Sequence, residues 1–313
     1  MSRIMAVVNQ KGGVGKSTTA LALGTALADR GQRVLLIDLD PQGSLTNNAG
    51  VSAHELKATV YTAMAHVMSE GEAAPLASYV QRVEDRLDLL PSNIGLGVAE
   101  MELQNAVRRE YVLAEVLAPT HDDYDAVLVD CAPSLGLLTI NALTAAHQVL
   151  IPVEPEYPAA YGLGLLMQSL QRIRKTRLNP QMEIAGIILT MVDYRTSHGR
   201  TIAESVKESV AGQVPVLGEV KRSIKVSEAA ERGVSIIRYA PGSETARAYE
   251  EIAERLLHSW GIQQSSTGPW MGLSHHAGRR CGASRRASGG RLDEAARRAG
   301  RRGRAGQRGP RRR

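Results

Sequence analysis

Near the amino terminus an apolar run, Ile4-Met5-Ala6-Val7-Val8, leads into Gln10-Lys11-Gly12-Gly13-Val14-Gly15-Lys16-Ser17-Thr18, and an Ala/Leu-rich helical pattern follows. Strand, glycine-rich loop and helix in that order is the setting of a phosphate-binding loop. The glycines let backbone N–H groups turn inward on phosphate oxygens at the positive end of the next helix. Gly12, Gly13, Val14, Gly15 and Thr18 would form this cradle, Lys16 would reach the β- and γ-phosphates, and the Ser17 hydroxyl would ligate Mg²⁺. One slot departs from the common GxxxxGK[ST] loop: Gln10 replaces the first glycine, and Lys11 stands beside it. A second lysine there is not needed for phosphates in its own loop. It could project outward to phosphates held by a partner chain.

The rest of the body alternates short β-rich runs with helical patterns. Strands are expected at residues 4–9, 34–38, 87–90, 126–130, 149–153, 184–191 and 216–220, with a helix at 17–30 and a long helical segment at 97–117. Near-continuous apolar strands separated by helices imply an α/β fold, a mainly parallel twisted sheet covered by helices on both faces. Functional groups should gather at the carboxyl ends of the strands. Asp38 and Asp40 fall there, as does Asp130, which closes Ala126-Val127-Leu128-Val129 as a Walker B acid would. An aspartate on a rigid strand beside the loop suits Mg²⁺. Of the pair Asp38 and Asp40, one could help organise Mg²⁺ and the other position the attacking water; both could equally serve a turn.

Charge divides the chain. Residues 264–313 hold fourteen Arg and no Lys against Asp293 and Glu294, a net charge of +12, whereas residues 1–263 carry −6. The body is long enough for one large α/β domain. The tail lacks apolar periodicity and is expected to be disordered. Two cysteines, Cys131 and Cys281, argue against a disulfide framework and for a reducing cytosol. No signal-peptide pattern and no membrane-length apolar run is present, so a cytoplasmic protein is expected.

Lys11-Gly12-Gly13-Val14-Gly15-Lys16-Ser17 resembles KGGxGK[ST], the deviant Walker A motif of the ParA/MinD ATPases. In that family the first lysine acts across a nucleotide-sandwich dimer, which implies catalytic roles for Lys11 and Lys16. Asp38-Leu39-Asp40-Pro41-Gln42-Gly43-Ser44 resembles the DxDPQGN segment of the ParA/Soj partition ATPases, with Ser44 in the Asn slot. That resemblance gives Asp40 a part in hydrolysis and Asp38, with Ser17 and Asp130, a part in holding Mg²⁺. Asp130-Cys131-Ala132-Pro133-Ser134-Leu135-Gly136 resembles the DxPPSLG switch, and Ile151-Pro152-Val153-Glu154-Pro155-Glu156-Tyr157 and Ser227-Glu228-Ala229 also fit. Pro158, Tyr161 and Lys221 depart from the family pattern. Lys221 and Ser223 fall where the family contacts the nucleotide base.

The resemblance further implies an ATP-dependent homodimer that binds double-stranded DNA non-specifically, releases it on hydrolysis stimulated by a ParB-type partner, and resides on the nucleoid. Arg195, Arg222 and Lys225 match the family's DNA-contacting positions. Weak intrinsic ATPase activity is expected. The Arg-rich tail is either extra DNA affinity or an extension without a dedicated role. Two rivals differ in cargo or chemistry. A MinD-like or other cargo-positioning ATPase would need a membrane-seeking amphipathic helix or a non-DNA cargo; residues 261–290 are broken by glycines and lack an apolar face. An iron–sulfur role would need paired cysteines, and Cys131 reads better as a small buried residue.

Overall fold

Alternate residues of each apolar run face opposite ways, and this gives the molecule two cores. The computed structural model describes residues 2–262 apart from His121 and Pro158. In β1 (Arg3–Val7), Ile4 and Ala6 enter one core while Met5 and Val7 enter the other; β2 (Val34–Leu39) divides Leu35, Ile37 and Leu39 from Val34 and Leu36 in the same way. A period of two on a strand covered on both sides produces this continuous apolar text. The remaining strands are β3 (Gln81–Glu84), β4 (Leu87–Leu90), β5 (Ala126–Cys131), β6 (Gln148–Val153), β7 (Glu183–Val192) and β8 (Val216–Lys221). They form one sheet in the order β3-β4-β2-β5-β1-β6-β7-β8. Neighbours run parallel except β3, which folds back antiparallel on β4.

On one face lie α1 (Lys16–Asp29) and α2 (Ser44–Asn48). The opposite face carries α3 (Val60–Glu70), α4 (Leu96–Leu103), α5 (Val112–Leu117), α6 (Leu137–Ala145), α7 (Ala159–Lys175) and α8 (Ser197–Val210). The first face is completed by α9 (Ile224–Glu231), α10 (Ile236–Tyr239) and α11 (Glu244–Ser259). The expected α/β fold is therefore observed. Gly50 after α2 and Gly233 after α9 meet backbone to backbone: a Cβ on Gly233 would stand 2.5 Å from Gly50 Cα, and both residues have positive φ.

Two features differ from the sequence reading, one an expectation corrected and one a strand not expected. The helical segment 97–117 is two helices, α4 and α5, separated by a turn in which Arg108 has φ 53°. Buried Asn141 holds the break from within. Its Nδ2 donates to Arg109 O at 2.8 Å and its Oδ1 accepts from Leu113 N at 3.0 Å, so it occupies an N–H at the start of α5. The second is β3, which has no apolar alternation and is made by pairing with β4. Among the described residues no helix is long and apolar enough to cross a membrane. The tail 264–313 lies outside the described residues, as do Cys281 and Pro158.

Candidate functional site

The glycine-rich loop joins β1 to α1 between the carboxyl ends of β5 and β6. Gly13 and Gly15 have φ of 76° and 82°, the left-handed region that glycine enters without strain. A Cβ on Gly12 or Gly13 would meet nothing within 4 Å, so the loop faces open space. Two residues outside the motif brace it. Asn9 accepts from Lys11 N at 2.9 Å and donates to Pro152 O at 2.6 Å. Buried Thr190, from β7, donates its hydroxyl to Val14 O at 2.9 Å. Beyond the loop, α1 is anchored where Thr19 and Tyr249 hydroxyls meet at 3.2 Å.

Three carboxylates and one lysine converge beside it. The β2–β5 register places Asp38 opposite Asp130, and both are buried. Neither Asp130 oxygen makes a hydrogen bond of good geometry, though the Ser17 hydroxyl and the Lys16 charge lie near enough to favour its ionised form in part. Burial, and then the neighbouring Asp38 charge, hold its pKa well above the ordinary carboxylate range. Asp38 is engaged by the chain itself: one oxygen accepts from Thr46 N and Oγ1, both at 2.7 Å, and the other from Asp40 N at 3.2 Å. Burial still pushes its pKa up to about 6. Asp40 is half-buried, and one oxygen accepts from Gln42 N at 2.9 Å. Lys16 is buried; burial lowers its pKa, while Asp130, Cys131 and Asp40 oppose the shift. Ser17 and Thr18 are partly exposed at the start of α1. Ser92 backs the Asp40 turn, donating to Asp40 O at 2.8 Å and from its N–H to Thr46 at 2.9 Å.

The second lysine points elsewhere. Lys11 Nζ donates to Glu154 at 3.0 Å and Glu156 at 2.7 Å, away from the Lys16 cluster. Burial works against its charge, but Glu156 and Glu154 prevail and raise its pKa. It borders a 230 Å³ cleft shared with Tyr157 and Tyr161, both largely exposed.

Arg195 and the pair Arg222 and Lys225 leave adjacent strands, since β7 and β8 pair through Val192 and Lys221. All three are exposed. Arg195 is held by Asp193 at 2.6 Å, Arg222 by Glu154 at 2.7 Å, and Lys225 makes no ion pair among the described residues. Lys221 pairs with Glu244, and Ser223 precedes α9 without capping it through its side chain. Cys131 is buried and has no second cysteine among the described residues; burial, then Asp130, pushes its thiol well above the ordinary range.

A family model described as an AAA domain matches residues 2–184. The sporulation initiation inhibitor protein Soj of Bacillus subtilis is 40% identical over 256 residues, 82% of this chain and 98% of Soj. The chromosome partitioning protein ParA of Caulobacter vibrioides is 38% identical over 257 residues, 82% of this chain and 94% of ParA. The chain belongs to the ParA/MinD family. The fold agrees. A crystal structure of cobyrinic acid a,c-diamide synthase from Mycobacterium smegmatis with bound ATP analog and magnesium superposes with a TM-score of 0.71 at 35% identity, covering 83% of this chain and 96% of that one. Lys221 pairs with Glu244, and Tyr161 stands exposed on α7.

Asn9, Thr46, Ser92 and Thr190 belong to no motif in the sequence. Thr46 acts on the Asp38 carboxylate, Ser92 on Asp40 O, Thr190 on Val14 O and Asn9 on Pro152 O, partners brought together by folding that no motif spacing marks. Glu154 and Glu156 lay inside a segment already singled out, but with no task attached.

Proposed function

We propose that this chain is a ParA-type partition ATPase: ATP and Mg²⁺ bind the loop, two chains close around two nucleotides, and the dimer holds DNA until hydrolysis opens it. The observation that carries this reading is the separation of the two loop lysines. Lys16 is buried, its ammonium donating to Lys11 O at 3.4 Å and feeling the charges of Asp130 and Asp40, while the Lys11 side chain turns to Glu154 and Glu156. On this reading one lysine serves the chain's own nucleotide and the other a neighbour's.

The residues fit the groups. The open glycine loop leaves space for phosphates, and Asp130 presents two buried oxygens with no hydrogen bond of good geometry, beside Asp38, a pairing of like charges that a cation relieves. Ser17, Asp130 and Asp38 would hold Mg²⁺, with Asp38 acting through the water around it because its own oxygens are engaged. Bound Mg²⁺ supplies electrostatic stabilisation of phosphate charge. Gly12, Gly13, Val14, Gly15 and Thr18 donate backbone N–H groups, and Lys16 neutralises the terminal phosphates. Asp40 uses only one oxygen on Gln42 and keeps the other to orient the attacking water. Lys221 and Ser223 border the base.

Arg195, Arg222 and Lys225 contact DNA phosphates, which confers affinity without sequence choice. A ParB-type partner stimulates hydrolysis, and the protein resides on the nucleoid in the cytoplasm. The relatives named for chromosome partition support this assignment. The test is DNA binding by the full chain with ATP, ADP or no nucleotide across a salt series. ATP-dependent binding that Lys11→Ala abolishes is expected. Binding indifferent to nucleotide overturns the reading.

A further inference from the structure

Glu154 stands just beyond β6, 8% exposed, and its two carboxylate oxygens hold two different cations. Oε2 accepts from Lys11 at 3.0 Å and Oε1 from Arg222 at 2.7 Å. Lys11 makes its other bond to Glu156, which is largely exposed. One buried acid thus joins the phosphate loop to the segment after β8. The partners are unequal in what they can lose. A buried carboxylate stripped of every cation is strongly unfavourable, whereas an exposed one is hydrated. Glu156 can therefore release Lys11 to solvent, but Glu154 can release it only if something else stays.

We propose that Arg222 is the reserve counter-ion of Glu154, a positioning residue that lets Lys11 leave for the nucleotide of a second copy of this chain. This rests on the reading of Lys11 given above. When Lys11 departs, Arg222 keeps Glu154 neutralised; when the dimer opens, Lys11 returns to Oε2. Arg222 keeps one guanidinium nitrogen on Glu154 in the closed state, so its loss weakens DNA binding through the dimer as well as through its own phosphate contact. The dimer defect must then exist without any DNA.

The test is the ATP-dependent dimer dissociation constant of the full chain, without DNA, by analytical ultracentrifugation. Arg222→Ala should raise it about tenfold, the loss of one charge-assisted contact. Arg222→Lys should stay near wild type. Glu154→Gln removes the charge that needs a counter-ion, so the double variant Glu154→Gln/Arg222→Ala should recover the affinity of Glu154→Gln alone. Normal dimerisation by Arg222→Ala, or a double variant as weak as Arg222→Ala, overturns the proposal. Should Arg222→Ala not fold, Arg222→Gln compared with and without Glu154→Gln reads the same recovery. Lys11→Ala separates the two layers. If it dimerises normally with ATP, the reading of Lys11 fails and the proposal falls with it. If it abolishes the dimer while Arg222→Ala is neutral, only the reserve counter-ion fails.

Discussion

Replacing Asp130 with asparagine should stabilise the protein without ligand and abolish its stabilisation by Mg·ATP. Both Asp130 oxygens are buried, the Ser17 hydroxyl and Lys16 offset this only in part, and the like charge of Asp38 faces them. A buried acceptor left unsatisfied costs about 1–3 kcal/mol, and more when charged. Asparagine removes the charge and the repulsion but still buries an amide, so a net gain of about 1–2 kcal/mol is expected. For a body of this size that raises Tm by roughly 2–8 °C. The pH dependence has a definite sign. Asp130 has a folded pKa raised above the unfolded value of 3.8, so folding favours its protonated form. Below about pH 4 both states are protonated and the charge penalty vanishes; as pH rises toward the folded pKa, stability is lost. Asp38, raised from 3.8 to about 6, loses stability between those two values, by about 3 kcal/mol if its shift is taken alone. The advantage of Asp130→Asn over wild type should therefore grow from pH 4 upward. Thermal melts in chelator, then with Mg·ATP, read both effects. A variant that melts below wild type without ligand at pH 7.5, or that still gains the wild-type increment from Mg·ATP, refutes the reasoning.

Other perturbations separate the remaining parts. Lys11→Ala should leave the Mg·ATP increment in Tm intact, because the side chain faces Glu154 and Glu156, while removing ATP-dependent dimerisation in ultracentrifugation. Thr190→Val, which deletes the hydroxyl bonded to Val14 O, should weaken nucleotide binding about fivefold by calorimetry, the value of about 1 kcal/mol for one buried hydrogen bond. Gly233→Ala should destabilise the fold by more than about 1 kcal/mol in urea melts, from left-handed backbone strain alone, with the Gly50 clash adding to it.

What could be read from sequence was whatever depends on near neighbours. The strands announced themselves because a doubly covered strand is apolar throughout, and the loop because glycine, lysine and serine must stand at fixed offsets. The break between α4 and α5 was illegible: its turn contains no glycine or proline, and its organiser, Asn141, is contributed by α6. Asp38 and Asp40 looked alike on the page. In the fold Thr46, eight residues on, directs both its N–H and its hydroxyl to one Asp38 oxygen, while Asp40 stays half-buried. Likewise Arg222 reads as a surface cation until its pairing with Glu154, 68 residues away, is seen.

The four residues of β3 bear on a matter remote from phosphate chemistry. A parallel sheet ends in a strand whose outer N–H and C=O groups invite another chain to add itself. Here that strand would be β4, with Leu87, Leu89 and Leu90 wholly buried. Instead β3 covers it with a short ribbon, irregular between Arg82 and Glu84 and tied down by Arg82–Asp88 and Glu84–Arg238 ion pairs. Shortness, charge and an irregular register are the features that make an edge a poor template. A proline at Val83 or deletion of 81–84 would bare β4 and open the sheet to uncontrolled pairing with other chains, strand on strand.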